Sequence, residues 1–193
     1  MCKLLKRKLL LELELMGEKA LHKMYKILQR VIENYRIHDK IVVKGGGRMY
    51  SAKQVAQYII NKCSIEERPV SNLKLQKLLY FVWIEYRKRT GTKLFGDKIY
   101  AWQFGPVVPD VYYDYCAYGG MDIDRRYDSS KIGITGEDAA ALDASLAGYL
   151  NCSVSRLVSM THAPGKPWYQ IYVEQGGIKQ EIPFSLIEQM ECQ

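Results

Sequence analysis

The chain has 193 residues, 48% of them hydrophobic and 25% charged, with a formal net charge of +7. That length holds one core of ordinary size, alone or with an appendage, and the composition excludes a wholly disordered chain. Residues 1–48 carry 12 of the 28 Lys/Arg and 5 of the 21 Asp/Glu, which leaves 16 of each in 49–193. The surplus therefore belongs to one end and does not make the whole a nucleic-acid-binding protein.

Residues 3–37 read as an amphipathic helix, with Leu21, Met24, Tyr25, Leu28, Val31, Ile32 and Tyr35 on one stripe. The leucine-rich start resembles a secretory leader, but Glu12 and Glu14 interrupt it and no small-residue cleavage site follows. No stretch reaches the roughly 20 apolar residues that span a bilayer, so a cytoplasmic protein without membrane contact is expected. "KIVVKGGGR" (Lys40–Arg48) then breaks the pattern as a joint. Residues 1–48 thus form a basic arm that packs on its own domain, pairs with another chain as a homo-oligomer, or lies on an acidic surface.

The next helix starts after Ser51, whose spacing to Gln54 is that of a capping box, with Tyr50 and Val55 placed as a hydrophobic staple. It runs to about Lys62, and "SIEERPVS" follows as a loop. "SNLKLQKLLYFVWIEYRKRTG" predicts a strong helix capped by Ser71 or Asn72, with an apolar stripe at Leu75, Leu78, Leu79, Val82, Trp83 and Tyr86. Arg87, Lys88 and Arg89 suit its negative end and Gly91 its stop.

Ile99–Phe104 alternates as a short strand, with Tyr100, Trp102 and Phe104 on one face, and Gly105-Pro106 ends it. Pro109 opens a helix carrying Val111, Tyr112, Tyr115 and Tyr118. "MDIDRRYDSSKIGITGED" is an exposed loop with a strand at Lys131–Ile134. Thr135 with Asp138 marks a helix continuing through Ala139–Leu150, Ser153–Met160 is another, and Pro167 re-enters a helix. "EIPF" is extended, and Ser185 with Glu188 repeats the capping-box spacing before a last helix. The fold class is mainly α (α+β), with two or three short strands behind the N-terminal amphipathic helix.

Little of this carries catalytic chemistry. The five cysteines form no CxxC pair and are read as reduced thiols, and no Cys/His cluster of zinc spacing exists. Asp122, Asp124 and Asp128 lack the glycine and final glutamate of a calcium loop, and "GGGR" is no phosphate loop. Of the three histidines, His22 and His38 sit on the arm, and only His162 has a distinctive setting. The residues point to a binding protein with no catalytic residue, metal or cofactor. Of fifteen tyrosines, eleven cluster in 80–127 and 149–172, and they divide between core and an interaction surface.

"MYSAKQVAQYIINK", "SNLKLQKLLYFVWIEY", "LFGDKIYAWQFGPVVPDVYYDYCAYGG" and "VSMTHAPGKPW", in this order, resemble the Panacea domain family of SocA-like, phage-associated antitoxins. The likeness covers about Met49–Met190, so the domain is expected at 49–193 and the arm at 1–48. The resemblance implies a mainly helical fold and no reaction or cofactor. It also implies the antitoxin role in a type II toxin–antitoxin system, by direct contact with a cognate protein toxin or as an adaptor to a ClpXP-type protease. Candidate partner-binding residues among its motifs are Gln76, Lys77, Tyr80, Trp102, Tyr112, Tyr115, His162 and Trp168. Gln76, Lys77 and His162 stand out because a polar residue inside an apolar motif needs a partner.

Two other classes fit. A phage-associated transcriptional regulator would bind nucleic acid through the basic arm, although 49–193 shows no helix-turn-helix with a basic recognition helix. An enzyme would use His162 with Tyr or Asp partners.

Overall fold

A computed structural model describes residues 48–193; the arm helix over 3–37, its glycine joint, His22, His38 and the arm's proposed pairing lie outside them. Helix α1 (Ala52–Ile65) begins with the full capping box: Ser51 Oγ accepts from Gln54 N–H, and Gln54 Oε1 accepts from Ser51 N–H at 3.0 Å. Helix α2 (Asn72–Thr90) is capped by Ser71, and its end at Gly91 takes a left-handed φ of +70° that suits glycine.

Helix α2 is the axis of the core. Beyond the predicted stripe, Tyr80, Phe81 and Ile84 are buried as well, so the helix is enclosed on most of its circumference. Trp83 stacks on Phe184 at 4.6 Å, and Phe81 stacks on Tyr149 at 4.8 Å. Trp83 Nε1 donates to Phe95 O at 3.0 Å, so the largest buried side chain leaves no polar atom unpaired.

The hairpin corrects the sequence reading. Strand β1 (Tyr100–Trp102) pairs antiparallel with strand β2 (Gly105–Val107), so Gly105-Pro106 is a strand rather than a terminator. Gln103 and Phe104 form the two-residue turn, which leaves Phe104 at the tip and not on a strand face. Pro106 is tolerated because it pairs with Ala101, whose own N–H and C=O turn outward to Gln180 O (2.8 Å) and Lys179 N–H (2.7 Å).

Helix α3 (Pro109–Tyr115) follows, with proline at its first turn and a short 3₁₀ turn after it. The expected strand at Lys131–Ile134 is instead helix α4 (Ser129–Ile132), capped by Asp128. Asn61 fixes this region to α1 by donating to Tyr127 O and accepting from Tyr127 N–H, at 2.7 and 2.8 Å. Helix α5 (Gly136–Leu146) stops four residues short of Leu150, and the Thr135 side chain makes no cap. Helix α6 (Val154–Thr161) lies where the sequence places a helix over Ser153–Met160, and Ser153 is its cap rather than its first residue. Helix α7 (Pro167–Tyr169) runs into a π-helical turn at Gln170–Glu174. The last helix, α8 (Phe184–Glu191), has Pro183 at its cap, so the Ser185–Glu188 box does not form. The described residues are mainly α-helical, with one small two-stranded sheet.

Candidate functional site

The polar residues buried within α2 are spent on the hairpin. Gln76 Oε1 accepts from Val108 N–H at 2.9 Å, one residue past β2. Gln76 Nε2 donates to Asn72 Oδ1 at 3.2 Å, and Asn72 Nδ2 donates to Tyr112 O on α3 at 3.0 Å. Lys77 Nζ donates to Pro106 O at 2.7 Å. The side chains of Asn72, Gln76 and Lys77 thus bond backbone groups of α3, the residue after β2, and β2 itself, which fixes these segments against α2.

Two further features lock β2. Gly105 has φ +105°, and a Cβ there would lie 2.7 Å from both Lys77 Nζ and Thr161 Oγ1. Only glycine fits between the two polar atoms. On the other side of the hairpin, Trp168 Nε1 donates to Trp102 O at 2.8 Å. Trp168 lies between His162, at 3.7 Å with planes 6° apart, and Tyr172, at 4.7 Å. Burial, and then the nearby Lys77 amine, lowers the pKa of His162. The His162 Nε2 atom is buried and has no hydrogen-bond partner. Burial alone pulls Lys77 down from 10.5 to about 7.

The hairpin held in this way presents aromatic rings outward. Trp102 meets Tyr112 edge-on at 4.9 Å and Tyr113 at 6.3 Å, and Tyr112 and Tyr113 are 5.6 Å apart. Lys179 Nζ lies 5.5 Å from the Trp102 ring. Phe104 at the turn is 57% exposed and Tyr113 is 62% exposed. Scattered exposed apolar residues are ordinary; here three rings in mutual contact, Trp102, Tyr112 and Tyr113, lie on the hairpin and the helix after it, and Phe104 is exposed at the turn.

The eight candidate residues divide by burial. Gln76, Lys77, Tyr80, Tyr115 and Trp168 are buried. Three of them bring polar groups to the hairpin: Gln76, Lys77 and Trp168 Nε1 hold it through backbone atoms. Tyr80 packs edge-on against Phe81, and Tyr115 OH shares a 2.8 Å hydrogen bond with Tyr127 OH. His162 is half-buried under Trp168. Trp102 and Tyr112 are half-buried and meet edge-on. Sequence reasoning missed Phe104 and Tyr113. The signal for Phe104 was a two-residue turn between short strands, and for Tyr113 its place off the Val111–Tyr115 stripe.

Among the described residues no three His, Cys, Asp or Glu side chains gather as a metal site, and no helix is long and apolar enough to cross a membrane. The loop aspartates serve local structure, Asp124 accepting from Tyr118 OH and Asp128 capping α4.

A helical domain that spends its motif residues on clamping a small hairpin has the build of a scaffold for a binding surface. The family model for the antitoxin SocA-like Panacea domain matches residues 75–169, which contain Gln76, Lys77, the hairpin, His162 and Trp168. Antitoxin SocA of Caulobacter vibrioides (strain NA1000 / CB15N) is 33% identical over 128 residues, covering 61% of this chain and 68% of that relative. The chain belongs to the SocA-like Panacea family of antitoxins. No solved structure matches it.

Proposed function

We propose that this protein is the antitoxin of a type II pair and neutralises a cognate protein toxin by docking it on the aromatic face of the hairpin. The observation that carries the reading is the exposure of Tyr113 in contact with Trp102 and Tyr112, and of Phe104 at the turn, on a hairpin tied down by Gln76 and Lys77. Tyrosine, tryptophan and phenylalanine bury large areas with few rotors to freeze, which is why they anchor protein interfaces. Rigidity adds to this, because a surface already in its bound shape loses little entropy on docking.

The mechanism is occlusion by mass action in the cytoplasm, with no chemical step. A nanomolar complex supplies about 12 kcal/mol at standard state, enough to keep a toxin's working surface covered. The test is growth of cells expressing the product of the adjacent open reading frame, alone and with this protein. Arrest by the neighbour and rescue by this chain support the antitoxin role; a neighbour that never arrests growth, or arrest that this chain never relieves, refutes it. Rescue that disappears in cells lacking ClpXP assigns delivery to a protease in place of occlusion.

A further inference from the structure

Lys77 is fully buried, and its ammonium nitrogen is hydrogen-bonded to a backbone carbonyl, Pro106 O. Among the described residues no carboxylate answers it. Strand β2 brings no ionisable side chain. The carboxylates on neighbouring elements are engaged elsewhere: Asp138 by Tyr50 and Tyr86, Asp143 by Tyr58 and Lys62, Asp114 by Lys53. On α8, Glu188 pairs with Arg87 and Glu191 with Lys166. Glu137 and Asp110 are exposed in the first turns of α5 and α3. On α2 itself, Lys74 donates to Leu150 O, and Arg156 is exposed on α6. The ionisable group that does interact with Lys77 is His162, and it too would be a cation.

A desolvated ammonium with no anion beside it favours giving up its proton, whereas a neutral amine keeps its N–H···O bond at little cost. We propose that Lys77 is a positioning residue that holds strand β2 as an uncharged amine, and that taking up a proton loosens the hairpin carrying Trp102 and Phe104. The aromatic face is then firmest on the alkaline side of neutrality. The consequence for toxin binding rests on the function proposed above; the behaviour of the hairpin does not.

The direction follows from which state holds the proton. Opening the hairpin returns the amine to water, where its pKa is the ordinary 10.5, against about 7 when closed. Between these values the open form carries a proton that the closed form lacks. Opening therefore becomes about tenfold easier for each unit the pH falls, and levels off once both forms are protonated.

The test uses the full chain with ¹³C-labelled lysine and 5-fluorotryptophan, and no toxin, so its failure is separate from failure of the antitoxin reading. One lysine Cε resonance is expected to titrate near pH 7 and to vanish in Lys77→Met. The ¹⁹F resonance of Trp102, assigned with Trp102→Phe, is expected to shift with the same midpoint and to stay flat in Lys77→Met. In His162→Gln the transition near pH 7 is expected to persist. Lysines that all titrate above pH 9 overturn the proposal. So does a Trp102 resonance indifferent to the Lys77 titration, or one whose transition is lost with the imidazole. Should Lys77→Met fail to fold, the two wild-type titrations together with His162→Gln decide the question.

Discussion

Single residues carry unusual weight where a backbone atom and a buried side chain meet. Gly105 combines a left-handed φ with contact on two sides, so Gly105→Ala is expected to cost roughly 2–4 kcal/mol of stability, from backbone strain and overpacking together, read as a lower denaturant midpoint. Asp138 is a second such point, because the hydroxyls of Tyr50 and Tyr86 both donate to it. Asp138→Ala is expected to cost about 2–4 kcal/mol by orphaning both. The same cluster sets a pH limit. Burial first, then Asp138, pushes Tyr50 up from 10 to about 12, and Tyr86 is raised by the same causes. A group whose folded pKa is raised stabilises fully below its unfolded pKa and loses that contribution as pH climbs through the folded one. Stability measured by denaturation is therefore expected to fall between about pH 10 and pH 12, alongside the ultraviolet signal of tyrosinate.

At the scale of elements, local pattern and tertiary partner compete, and the competition shows what the sequence could reveal. Ser51 and Gln54 have no stronger suitors and close their capping box. Ser185 and Glu188 have the same spacing, yet Glu188 is drawn to Arg87 at 2.9 Å, and Pro183 O accepts from the Leu186 and Ile187 N–H groups. Asp138 likewise leaves Thr135 for two tyrosines. The long helix α2 was legible because its apolar period repeats over five turns, and α6 because Ser153 caps it unopposed. The hairpin was half legible. Alternation marked β1, but β2 reads as Gly-Pro-Val; its pairing with β1 makes it a strand, and Gln76 and Lys77, roughly 30 positions earlier in the chain, hold it in place. Gln76→Ala leaves the buried Val108 N–H unpaired. It is expected to cost about 1–3 kcal/mol and to raise amide hydrogen exchange in the hairpin above that in α2.

At the scale of the whole molecule, the polar motif residues and the exposed rings belong to one device. The motif was visible in the sequence as polar letters among leucines, and its meaning was not, because the carbonyl and amide it serves come from distant chain. The face proposed for docking was legible only in part: Trp102 and Tyr112 stand in the AWQFGPVVPDVYYDY string, whereas Phe104 and Tyr113 owe their exposure to a turn and a helix face that only the folded chain defines. Residues that hold the hairpin and residues that face outward are separable, so loss of binding need not follow loss of stability.

The affinity of the purified chain for the product of the adjacent open reading frame, compared between wild type and Phe104→Ala/Tyr113→Ala, tests the central claim most directly. Both rings are exposed, so the double variant is expected to unfold at the same denaturant concentration as wild type. Its dissociation constant is expected to rise about 30-fold or more, as the loss of two aromatic anchors implies. An unchanged dissociation constant in a folded double variant would contradict the account and place the toxin elsewhere on the molecule.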